Sequence, residues 1–151
     1  LFKYENFLRK QKGFPVLTKQ AFFENNPRFK LSIEHITAKK SNLKFTEEFE
    51  ASFLHNIGNL VIDTIASNSS KGNIEVDSKI ESYNLAPLIS QNEIDSIVEE
   101  LSKKYGGFDW NNLDDVKRFI EFRREKIKEF ILKEWNYETR ATWLDKENNS
   151  A

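Results

Sequence analysis

No cysteine occurs among the 151 residues, which removes disulfides, thiolate nucleophiles and cysteine-based zinc sites and fits a reducing compartment, so the expected location is cytoplasmic. Methionine is absent too. The chain opens Leu1-Phe2-Lys3-Tyr4 with neither an initiator nor a secretory signal pattern, and it reads as a piece of a longer protein. No apolar run approaches the roughly 18 residues that a membrane-crossing helix needs. Internal repeats, low-complexity stretches and a linker between domains are all missing, which predicts one domain over residues 1–151 with a polar tail from about 138. Histidine occurs only twice, at His35 and His55.

What is present supplies a core and an uneven charge. Thirteen Phe and three Trp provide large apolar side chains for a chain long enough to bury them. The formal net charge is −1, but residues 1–45 hold ten Lys/Arg against three acids, and residues 46–115 hold four against fourteen. A near-neutral total therefore does not exclude a polyanionic partner, because binding depends on a local patch.

Hydrophobic spacing predicts an α+β fold dominated by helices. Leu1, Tyr4 and Leu8 form an apolar stripe on an opening helix that ends at Gly13 and Pro15, and Thr18 caps a short second helix. The alternation from Phe29 to Ile36 has the period of a half-buried strand, with His35 at its end. A basic connector, Lys39-Lys40-Ser41-Asn42, leads to a helix begun by Thr46, Glu47 and Glu48. Gly58 breaks that helix, and residues 59–63 have the β-branched content of a second strand. Residues 67–73, Ser-Asn-Ser-Ser-Lys-Gly-Asn, are polar and turn-like. Ser90-x-x-Glu93 has the form of a capping box for a helix to Gly106-Gly107, and the apolar positions from Val116 to Trp135 hold the helical period for five turns. Arg123 falls on that apolar stripe and so calls for a buried carboxylate or carbonyl partner, whereas Arg124, Lys126 and Lys128 alternate with glutamates as a solvated face does.

Three blocks in the least helical stretch carry a resemblance. They are Ile33-Glu34-His35-Ile36, then His55-Asn56-Ile57-Gly58-Asn59-Leu60, then Asn68-Ser69-Ser70, with Asn68 nine positions after Asn59. In this order and spacing the chain resembles the HNH-type C-terminal domain of GmrSD-like modification-dependent restriction endonucleases. Leu1 to Leu8 is similar to the helix preceding that domain, and Ile120-x-x-Arg123 with Trp135 to its closing helix, so the likeness runs to about Tyr137. Where the family often carries Pro after the first block, this chain has Ala38, which predicts a looser exit from the first strand without removing a reacting group.

The resemblance implies a ββα-metal (HNH) nuclease motif embedded in a mostly helical domain. The implied activity is divalent-metal-dependent hydrolysis of DNA by a restriction or phage-defence protein that acts on modified DNA. His35 is the implied general base, and Asn59 holds the loop or His35. Glu34 and Asn68 are the implied ligands; as oxygen donors they suit Mg²⁺ or Mn²⁺ better than zinc. Lys71 would reach a phosphate as a point charge, with Lys39 and Lys40 on the DNA backbone. His55 is open between a second ligand, a substrate contact and a residue that fixes the turn before Gly58, the last being favoured. The implied partners are DNA and an N-terminal NTP-dependent recognition domain or subunit; no membrane is involved. One tension stands out: neighbours on a regular strand point to opposite faces, so Glu34 and His35 share a site only if the strand bends or ends between them. The alternative reading is a catalytically silent module that binds DNA or a partner through its basic first third.

Overall fold

The computed structural model describes residues 1–37, 44–71 and 76–135. Lys39, Lys40, Ala38, Asn73 and the tail beyond 138 lie outside the described residues. The fold is α+β and mostly helical: helix α1 (Phe2–Gln11), a 3-10 turn (Lys19–Phe22), strand β1 (Leu31–His35), helix α2 (Glu47–Phe49) running into a π-helical turn (Glu50–Leu54), a 3-10 turn (Ile57–Asn59), strand β2 (Leu60–Thr64), then helices α3 (Ile65–Lys71), α4 (Val76–Asn84), α5 (Ile89–Tyr105) and α6 (Leu113–Glu134). No helix among the described residues is long and apolar enough to cross a membrane.

The two strands form an antiparallel pair in which Glu34 faces Val61 and His35 faces Leu60. As expected from the sequence, Thr46 caps α2 by accepting a hydrogen bond from Phe49 N at 3.1 Å. The main core lies where β2, α4, α5 and α6 meet, built on Val61, Tyr83, Ile94, Ile97, Phe119 and Ile120. A second cluster joins Tyr4 of α1 to Ile127 and Phe130 of α6.

Two expectations need correction, and one helix was not anticipated. The polar stretch after Thr64 is helix through Lys71, because Thr64 Oγ1 caps it at Ser67 N (3.2 Å) and Lys71 is tied inside by an ion pair; tertiary contacts override the low helix propensity of Ser and Asn. Helix α4 has no counterpart in the hydrophobic pattern, since its inward positions, Val76, Lys79 and Tyr83, include a lysine. The Ser90-x-x-Glu93 box does not cap α5. That helix starts at Ile89, and its amides of Ile89 and Ser90 donate to the buried carboxylate of Glu5 on α1, at 2.9 and 2.7 Å. A carboxylate from a distant element thus serves the helix N-terminus, where negative charge is favoured. Glu93 is occupied elsewhere, by Arg123 and Tyr4.

Candidate active site

The site is built around a loop held from both sides. Gly58 lies so close against α6 that a Cβ there would overlap the carbonyl oxygen of Ile120, with Arg124 N at 3.0 Å; only glycine permits this approach. Arg123 fixes the same loop from within. Its guanidinium donates to the carbonyls of Leu60 at 2.7 Å and Gly58 at 3.1 Å, and to Glu93 at 3.0 Å, so the buried arginine finds both kinds of partner its position demanded.

Asn59 is fully buried and joins the loop to the end of β1. Its Oδ1 accepts from Thr37 N at 3.0 Å, and its Nδ2 donates to Thr37 O at 3.2 Å and to Leu54 O at 2.8 Å. These bonds tie the residues just after His35 to those just before His55, which sets where both histidines stand. The result is an imidazole pair: His35 Nε2 and His55 Nδ1 are 3.0 Å apart, with ring planes at 73°. His35 is half-buried and His55 exposed. Burial first, and then the proximity of His55 and Lys79, hold the His35 pKa below the ordinary histidine value. A neutral imidazole at the end of a strand has a lone pair with which to take a proton from water.

Glu34 lies on the other face. The strand stays regular through His35, so the two side chains diverge, and Glu34 is only 3% exposed while its apolar neighbour Ile33 is 55% exposed. The acid turns inward because its partners are there: Lys79 Nζ donates at 2.9 Å, Tyr83 Oη at 3.0 Å, and Lys71 Nζ is 3.8 Å away. Lys71 also donates to Asp63 at 2.9 Å and to Gln91 at 3.2 Å. Burial and a hydrogen bond shared with Asp63 push the Glu34 pKa up. Burial acts on Asp63 in the same sense, but the bonds from Glu34 and Lys71 outweigh it and hold its carboxyl below the usual range. Lys71 thus stands closer to Asp63 than to Glu34, and the two carboxyls are shifted in opposite directions.

The expected site residues thus divide. His35, His55 and Asn59 converge; Glu34 and Lys71 belong to an internal network on the opposite face of the sheet; and Asn68 lies beside β1, its Nδ2 donating to Ile33 O at 3.0 Å and Ser32 Oγ at 3.2 Å. Lys71, expected to reach a phosphate, has its ammonium enclosed by carboxylates and an amide. Glu34 does not offer a divalent ion an unpaired carboxylate, since Lys79 donates to it at 2.9 Å and Lys71 stands 3.8 Å away; Asn68 is bound to the strand through its nitrogen. Among the described residues no group of three His, Asp or Glu side chains is placed to hold a metal ion.

Sequence reasoning missed Asp63, Lys79, Tyr83 and Gln91. Asp63 gave a signal, as an acid closing the apolar run Leu60-Val61-Ile62. Lys79 gave none, because it lies in a polar stretch far from any motif.

An antiparallel strand pair is followed at once by a helix, with a histidine ending the first strand and a buried asparagine just before the second. The sequence model of one family, described as GmrSD restriction endonucleases, C-terminal domain, matches residues 3–118, and the chain belongs to that family. It is a restriction-endonuclease-related domain. No curated protein and no solved structure matches it significantly.

Proposed function

We propose that this domain is an HNH-type DNA endonuclease of a restriction or phage-defence protein, with His35 as general base. The observation that carries the proposal is the place of the His35 imidazole, which ends β1 half-buried, beside His55 and two residues before the Thr37 backbone that Asn59 holds. A base of this kind takes a proton from water as the water oxygen attacks the phosphorus; the P–O bond to one sugar oxygen breaks, and that oxygen takes a proton from solvent to leave as a hydroxyl. Modified DNA as the target and an NTP-dependent partner as its reader are carried over from the resemblance in sequence. The resemblance also brings Mg²⁺ or Mn²⁺, which Glu34, paired with Lys79 and close to Lys71, does not fit as it stands. The closed Glu34 network is what favours the second reading, a silent module that binds DNA or its own protein.

Incubation of supercoiled plasmid with the domain, with and without Mg²⁺ or Mn²⁺, separates the two. Nicked or linear product is expected from the wild type. His35→Ala should lower the cleavage rate about a hundred- to ten-thousand-fold while DNA binding and fold persist, because a base acts in the transition state. Cleavage by His35→Ala at the wild-type rate would remove His35 as the base.

A further inference from the structure

We propose that His55 is a positioning residue for His35, accepting a hydrogen bond from His35 Nε2 so that the lone pair of His35 is presented at Nδ1. The inference rests on the nuclease reading for its purpose but on the imidazole pair for its geometry. Two ring nitrogens 3.0 Å apart share one proton, and the tautomers of the two rings are then coupled. If Nε2–H of His35 donates to Nδ1 of His55, both rings carry their protons on Nε2, the commoner tautomer of neutral histidine. If Nδ1–H of His55 donates to Nε2 of His35, both rings are in the rarer form, and both nitrogens of His35 are occupied. The first arrangement is favoured at each ring and is the one that leaves His35 a free basic atom.

The role has a second part. When Nδ1 of His35 accepts the proton of the attacking water, the ring becomes an imidazolium, and its Nε2–H bond to the neutral His55 strengthens because the donor is now charged. A second imidazole thereby does for His35 what a carboxylate does for the base of a serine-protease triad, fixing tautomer and orientation without itself reacting. His55 suits this task by position: it follows the π-helical turn at Leu54, whose carbonyl is bonded to Asn59, so the residue that anchors the exit from β1 also anchors the approach to His55.

The chain has only these two histidines, so ¹⁵N-resolved NMR of the imidazoles at neutral pH reads the proposal directly, with assignment by substitution. In the wild type His35 is expected to be protonated on Nε2 and bare on Nδ1. His55→Ala should release that preference and lower kcat for plasmid cleavage about tenfold or more with KM unchanged. His55→Asn, whose amide oxygen falls near the place of Nδ1, should restore both tautomer and rate. Finding His35 protonated on Nδ1 in the wild type, or an unchanged tautomer in His55→Ala, would overturn the proposal. A wild type with the expected tautomers that cleaves nothing would instead overturn the nuclease reading and uphold the pair.

Discussion

Single residues in this chain take their properties from the face on which the strand leaves them. Glu34 and His35 are adjacent, yet one is enclosed by two ammonium groups and a phenol and the other meets a second imidazole in partial contact with solvent. The depressed pKa of His35 has a consequence for stability. A histidine that binds its proton less readily when folded than when unfolded stabilises the fold above its unfolded pKa of about 6.5, and that contribution is lost as pH falls from there through the lower folded value. Between pH 7.5 and 5.5 the wild type should therefore lose stability relative to His35→Gln in urea unfolding. Glu34, shifted upward, contributes with the opposite sign, but it is common to both proteins and cancels in the comparison. A difference that does not change with pH would show that His35 titrates alike in both states.

Between elements, the decisive contact is that of the Ile57–Asn59 turn against α6. Backbone meets backbone there, and Arg123 reaches past the helix to hold the carbonyls of Gly58 and Leu60. Gly58→Ala should accordingly destabilise the domain by about 1–3 kcal/mol, the cost of forcing extra carbon into a packed contact. It should also slow cleavage, since displacing the turn moves Asn59 and, through it, both histidines. Thermal unfolding and plasmid cleavage of the same preparation check the two effects together; a variant as stable and as active as the wild type would mean that the turn is not held by this contact. The turn was legible as a break in the sequence from Gly58 alone. Its packing against α6 was not, because the partner is a backbone oxygen 62 positions away, which no side-chain pattern advertises.

Across the whole molecule the charge is divided along the chain, with the basic excess in the first third and the acidic excess in the middle. DNA binding is expected to weaken steeply with salt as phosphate contacts release counterions, each contact adding about 0.9 to the slope of log affinity against log salt. Replacing Lys39, Lys40 and Lys44 together by Gln should lower affinity and flatten that slope, as measured by titration at several salt concentrations. An unchanged slope would move the DNA surface away from this segment.

The sequence by itself determined β1 and β2, the long helix α6, the Thr46 cap, the buried demand of Arg123 and the order of the three blocks that mark the family. All of these rest on local spacing, or on a residue type that cannot be buried without a partner. Tertiary structure decided the rest. It chose the Glu5 carboxylate over the Ser90 hydroxyl as the cap at the start of α5, made helix from a serine- and asparagine-rich stretch, and closed Lys71 and Lys79 over Glu34. It also brought His55 to His35. Each of these depends on which distant group arrives with a complementary charge or hydrogen bond, and for a buried ionisable side chain that partner, more than its neighbours in sequence, sets the direction in which it faces.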